Sequence, residues 1–284
     1  LSRTVKRTAG APMPASAAAT STASQRSVPP ASQAWMPFSS RLVSAPPSAL
    51  RSPTSSASPQ AQSAVNATWR ARPDGQLEGC FKAYSGPEMD WLVHSWLGNR
   101  KASILDMNAT AFLAQQNQVP HLCIIFGTIP KLYFYAEYTP RVDLRTHYDY
   151  LLKYYEPANE DFLKFRSDPK WTRFVSHGTY LRAMMSPVAV SSHAELDDDN
   201  IGTCEKFLVK FMDRWFKWLD EAEVLPEEQR AAQQQYDYTV RELGYRTDPM
   251  NVLPQKVLGM QEFNRRLDMR IGVQQMAETR GRWK

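Results

Sequence analysis

The stretch YRTDPMNVLP, residues 245–254, sets one carboxylic acid, Asp248, directly ahead of a proline. Aspartate before proline opens turns and stops a preceding helix. It is also a residue type that hands over a proton when burial keeps it protonated near neutral pH. On local sequence both roles stay open. Further polar side chains are embedded in apolar, strand-like runs: His94 in LVHSW, Asn108 in LDMNAT, His121 ahead of LCIIF, and Ser176, His177 and Arg182 in VSHGTYLR. Singly, such residues more often satisfy hydrogen bonds at an edge or in a core than touch a ligand. Collected, they fit a concave, aromatic-lined pocket for a flat, largely apolar ligand carrying carboxylates.

Other chemistries lack their sequence marks. There is no glycine-rich phosphate loop, GxGxxG, HExxH or GxSxG, and histidines 94, 121, 147, 177 and 193 do not fall at metal-ligand spacing. This argues against nicotinamide, flavin, nucleotide and zinc chemistry. Cys80, Cys123 and Cys204 form neither a disulfide framework nor a CxxC pair. Cys123, inside HLCIIFG, reads as a small buried apolar residue.

The elements that would hold these groups begin near residue 75. MDWLVHSWLG predicts a strand at 90–97, followed by β candidates SILDMNATAFLA, HLCIIFGT and KLYFYAEY. Only Ile129 and Pro130 separate the last two, too little for a crossover, so they must pair antiparallel as part of a meander. Helices are expected at 146–155 and 158–166, then an extended segment to Pro187. ELDDDN precedes an amphipathic helix over 201–222, with Phe207, Leu208, Phe211, Met212, Trp215 and Leu219 as its buried stripe. Further helices are expected at 227–243 and 260–276. Strands followed mainly by helices predict an α+β domain, a central antiparallel sheet flanked by helices.

Residues 1–73 differ in kind: rich in Ser, Ala, Thr, Pro and Gln, with eight basic residues and no acid, so the whole-chain charge of +5 leaves −3 for residues 74–284. The basic balance belongs to this leader, and it gives no nucleic-acid or membrane argument for the rest. Its composition is that of an organelle transit peptide, which makes 74–284 the expected single domain. No run reaches the roughly 18 apolar residues of a membrane span.

MDWLVHSWLG, VPHL, PRVDL followed by DYLLKYYE, FVSHGTYLRAMMSPVA and DPMNVLPQKVLG occur in an order and spacing that resembles red chlorophyll catabolite reductases, in the ferredoxin-dependent bilin reductase family. The match spans about residues 88–260. The resemblance implies an α/β/α sandwich holding a linear tetrapyrrole between the sheet and the C-terminal helices. It implies reduction without a bound cofactor, with single electrons from reduced ferredoxin, and it turns the leader into a chloroplast transit peptide. It gives Asp248 the role of proton donor and Arg182 that of pairing a pigment propionate, for which the planar guanidinium fork is suited. Ser176 would add a hydroxyl contact, and Asn108 falls near a position facing the pigment. Where the family usually has an acid, this chain has Ile125, which cannot hold a proton. Asp248 with water, or His121 or His94, would then have to suffice, or the protein binds a tetrapyrrole without reducing it, as a carrier or a plastid photosynthetic accessory subunit. For docking acidic ferredoxin, Lys206, Lys210, Arg214 and Lys217 form one candidate surface, and Arg265, Arg266 and Arg270 another.

Overall fold

In the computed structural model, which describes residues 62–71, 77–99, 104–128 and 131–281, eight strands form one sheet. They are β1 (Gln62–Ala71), β2 (Leu77–Ser85), β3 (Met89–Asn99), β4 (Ile104–Leu113), β5 (His121–Thr128), β6 (Leu132–Thr139), β7 (Thr172–Arg173) and β8 (Val190–Ala194). Their order is β1-β2-β3-β4-β5-β6-β8-β7, and every neighbouring pair runs antiparallel. The expected meander over β3 to β6 is therefore present. β1 lies inside the stretch expected to be leader, so the folded unit starts ahead of residue 74. The remainder of the expected transit peptide lies outside the described residues.

Alternation along each strand divides the residues between two faces. On the first, Leu122, Ile124, Phe126, Leu132, Phe134, Ala136 and Tyr138 are all buried. They meet helix α4 (Asp198–Asp220), with α1 (Tyr148–Tyr154) and α2 (Glu156–Ser167) completing the layer. The sequence starts α4 deliberately: the Asp197 carboxylate accepts from the Asn200 amide at 2.7 Å, and Asp198 and Asp199 place negative charge in the first turn. Of its expected stripe, Leu208, Phe211, Met212, Trp215 and Leu219 are buried and Phe207 is half-buried against the same core. Tyr138 stacks on Phe211 with centroids 3.9 Å apart and donates its hydroxyl to the Phe211 carbonyl, while the Trp215 indole donates to the Pro120 carbonyl. An aromatic pair of this kind adds about 1 kcal/mol beyond the area it buries.

The second face is covered by α3 (Thr179–Met184), α5 (Glu227–Arg246), α6 (Val252–Leu258), α7 (Met260–Ile271) and α8 (Val273–Gly281). A single helix over 260–276 is not what forms. Gly272 adopts a left-handed conformation, φ 73°, and ends α7. A Cβ there would lie 2.9 Å from the Trp91 ring, so glycine also allows the helical layer to close on that indole. The segment expected to be extended to Pro187 contains the short helix α3. Among the described residues no helix is long and apolar enough to cross a membrane.

Helix α5 is held by charge. Arg141, from the PRVDL stretch, donates to both Asp237 oxygens, at 2.6 Å through Nη2, and to the Ala114 and Val119 carbonyls. One turn on, Arg241 and Tyr238 both bind Asp90 at the start of β3, at 2.9 and 3.0 Å. Arg241 also lies over the Phe112 ring. These groups are almost fully enclosed, so losing either partner would strand a charge in the interior, a loss of about 3–5 kcal/mol.

Candidate active site

Strand register sets one wall of the site. Ser95, Asn108, Ile125, Tyr135 and Ser191 lie directly opposite one another across β3, β4, β5, β6 and β8, and so share a face. The flanking rows on that face are Val93, Thr110, Cys123 and Glu137 on one side and Leu97, Asp106, Gly127, Tyr133 and His193 on the other. At one end of this face Phe81, Trp91, Val93 and Phe112 are packed under Tyr245 and Met269. Towards the other end the cover thins: Asp106, Cys123, Ile125, Tyr133, Tyr135 and His193 are only half-buried, although their strands are interior to the sheet. This half-open part of the sheet face is the candidate cleft.

The opposite wall carries Asp248. Its carboxylate accepts from the Met250 amide at 2.8 Å and caps a 3-10 turn, Pro249–Asn251. The turn-forming role is thus real, but the side chain is half-buried and faces the sheet. Burial raises its pKa, against the lowering effects of the Met250 amide and Arg270. Its charge is felt by Asp106, Tyr133 and Cys123 on the strands. Arg270, half-buried on α7, donates to the Ser95 hydroxyl at 2.9 Å, next to Asn108 in the row. It therefore points inward and does not serve as part of an external basic surface.

Ser176 and Arg182 are brought to the same rim. A Cβ on Gly178 would lie 3.0 Å from Pro249, which shows how closely this loop abuts the Asp248 turn. The Ser176 hydroxyl accepts from the Gly178 amide, and Arg182 donates to the Ser176 carbonyl at 2.6 Å, leaving the rest of its guanidinium exposed. Met250, Val252 and Leu253 add exposed apolar surface beside it.

Three sets of expected site residues lie elsewhere. His94 alternates with Val93 and Ser95, so its ring is on the first face, where burial and then Lys82 lower its pKa. His121 is on the cleft face but is enclosed under α5. The Leu113 amide donates to Nδ1 at 3.0 Å, which puts the proton on Nε2, 3.3 Å from Asp237. Burial lowers its pKa further, so His121 is a neutral structural group and not a proton donor to a ligand. Lys206, Lys210, Arg214 and Lys217 lie on α4, across the sheet from Asp248. Lys210 and Arg214 pair with Asp161, and Lys217 with Glu221, which neutralises much of that surface. In the alternative set, Arg265 and Arg266 both pair with Glu262.

Two carboxyl groups of the cleft face were not evident from sequence. Asp106, two residues before the expected Asn108 on the same face of β4, has its pKa raised by burial, with Arg270 opposing and Asp248 reinforcing. Glu137, in the run read simply as strand KLYFYAEY, is 2% exposed, and burial pushes its pKa from 4.5 to about 7. The Tyr135 hydroxyl donates to Glu137 Oε2, the Ser186 amide to Oε1 at 2.6 Å. The Cys123 thiol is pushed up to about 12 by burial and stays unreactive. Among the described residues no three His, Cys, Asp or Glu side chains gather as a metal site.

An antiparallel sheet with one face sealed by a helical layer and helices over the other defines an α/β/α sandwich. The chain belongs to the red chlorophyll catabolite reductase (RCC reductase) family, whose model matches residues 59–258. That span takes in β1 and closes with α6. Its fold is similar to phytochromobilin synthase from tomato, solved in complex with biliverdin. The TM-score is 0.66 at 15% identity, over 74% of this chain and 75% of that one. No curated protein sequence matches the chain. Family and fold together support an oxidoreductase acting on a tetrapyrrole.

Proposed function

We propose that the protein is a chloroplast reductase of a linear tetrapyrrole, a red chlorophyll catabolite or a related bilin, which takes electrons singly from reduced ferredoxin and holds no cofactor of its own. The observation that carries the reading is the cleft itself: Asp248, its pKa raised by burial, faces a half-open strand wall lined by Ile125, Tyr133 and Tyr135. The flat conjugated pigment lies on that wall. Asp248 gives a proton to the reduced chain, Asn108 hydrogen-bonds the pyrrole or lactam groups, and Arg182 at the mouth pairs with a propionate. Ferredoxin docks at the cleft rim, near exposed Arg182 and Lys256, and not on α4.

A second reading, a tetrapyrrole carrier or plastid photosynthetic accessory subunit that does not reduce its pigment, is favoured by one observation: Ile125 faces the cleft from the middle of the wall. Biliverdin added to the purified protein separates the two. A shifted absorption spectrum that bleaches when reduced ferredoxin is supplied supports the reductase. A shift without bleaching supports the carrier, and no shift removes both.

A further inference from the structure

Ile125 leaves the wall without an acid at its centre, yet the residue directly across β6 is Tyr135, and two positions along the same strand, on the same face, stands Glu137. The Tyr135 hydroxyl is half-way between the two environments: its ring is part of the half-open wall, and its O–H is donated to the Glu137 carboxyl. We propose that Tyr135 and Glu137 form a proton-donating pair that supplies the second proton of the reduction, in place of the acid absent at position 125.

The pair has the parts such a relay needs. Glu137 is fixed by the Ser186 amide on one oxygen and by Tyr135 and Thr139 on the other, so its proton has a defined outlet. The groups facing it are Tyr135 and Thr139 on β6, Cys123 from β5, Tyr155 from the start of α2 and Ser186 from the loop before β8. Its pKa of about 7 lets it exist in both forms at working pH. Burial, then Glu137 itself, hold the Tyr135 hydroxyl well above its ordinary range, so tyrosine keeps its proton until one arrives from behind. When Glu137 is ionised, the hydroxyl is turned onto the carboxylate. When Glu137 is protonated, the carboxyl donates to the tyrosine oxygen and frees the O–H for the cleft.

The inference rests on the reductase reading, and its chemistry balances as follows. Two electrons come one at a time from ferredoxin, and Asp248 supplies one proton. For the other, the Tyr135 O–H bond breaks as a C–H bond forms on the conjugated chain, and the Glu137 O–H breaks as that proton passes to the tyrosine oxygen. Tyrosine ends unchanged, Glu137 ends as carboxylate, and both acids are reprotonated from water once product leaves.

The experiment compares the full chain with Glu137→Gln and Tyr135→Phe, using biliverdin and reduced ferredoxin. The parent shows a carboxyl infrared band that titrates near neutrality. That band is absent in Glu137→Gln and shifted in Tyr135→Phe. Both variants bind biliverdin within about threefold of the parent, reduce it at least tenfold more slowly, and show an alkaline limb with the slope of one proton, that of Asp248, where the parent's has the slope of two. Variants that match the parent in rate and pH profile, or an unchanged infrared titration, overturn the pair while leaving the reductase intact. If the parent binds biliverdin without reducing it, the reductase reading fails instead. The pair is then judged by the pH midpoint of the bound pigment's absorption, which moves in Glu137→Gln if the two are in contact and is unmoved if they are not. No binding by the parent overturns both.

Discussion

Asp106 on β4 feels the charge of Asp248 on the facing loop, which adds to the rise that burial gives its pKa, and Arg270 opposes the rise at both carboxyls. A carboxyl pair opposed by a single cation resists ionising twice. Substituting Arg270→Met therefore raises both pKa values. The expected result is an upward shift of the alkaline limb in the pH profile of biliverdin reduction, with pigment binding weakened as the Ser95 contact is lost. An unchanged limb would show that Arg270 acts only as a packing residue.

Asp248→Asn keeps an acceptor for the Met250 amide and hence the 3-10 turn, but cannot give up a proton. Turnover should fall by about 100-fold or more, the usual contribution of a general acid, while the biliverdin absorption shift persists. A variant as active as the parent in single-turnover reduction would remove Asp248 from the mechanism.

Arg141 and Asp237 make the opposite kind of prediction, one about folding. Burial would raise the Asp237 pKa, but Arg141 and His121 hold it down to about 2. A depressed carboxylate stabilises the fold above its unfolded pKa, and that contribution disappears as pH falls from about 4 through 2. Asp237→Asn should lower unfolding free energy by about 3–5 kcal/mol at pH 7 and flatten the acid limb of a denaturant series. Equal acid sensitivity in the two proteins would mean that other carboxylates govern it.

Glu137 has the reverse sign. Its pKa is raised from 4.5 to about 7, so the folded state binds the proton more tightly than the unfolded chain does. Stability therefore falls as pH climbs from about 4.5 to 7, by about 3 kcal/mol if the shift is fully expressed. Glu137→Gln should remove that decline and be more stable than the parent at pH 8, as thermal melts at several pH values would reveal.

Much of this was legible in the chain, for identifiable reasons. Strands β3 to β6 announce themselves by alternation, since one face is apolar but for His94 and Thr128. Helix α4 does so by its stripe of Leu208, Phe211, Met212, Trp215 and Leu219 and its aspartate start. Helix α5 was expected, but its contacts were not, because the face it buries is Gln233, Asp237, Tyr238 and Arg241, satisfied by partners distant in sequence. His94 and His121 look alike as polar residues in apolar runs. Strand parity sends one to the wrong face, and a carboxylate 116 positions away claims the other. The same parity argument applied to KLYFYAEY would have put Glu137 beside Tyr135, since alternate residues share a side. What buries it is not local: the Ser186 amide that fixes its carboxyl comes from 49 positions away.

The break at Gly272 has a consequence for how the protein opens. Beyond it, Gln275 on α8 donates to Asp90, while before it the Trp91 indole is tied to the Met269 carbonyl. A side chain at 272 would prise the start of α8 off the indole, so this one position holds the C-terminal helices against the sheet. Loosening it would uncover Trp91, Val93 and Phe112 at the packed end of the sheet.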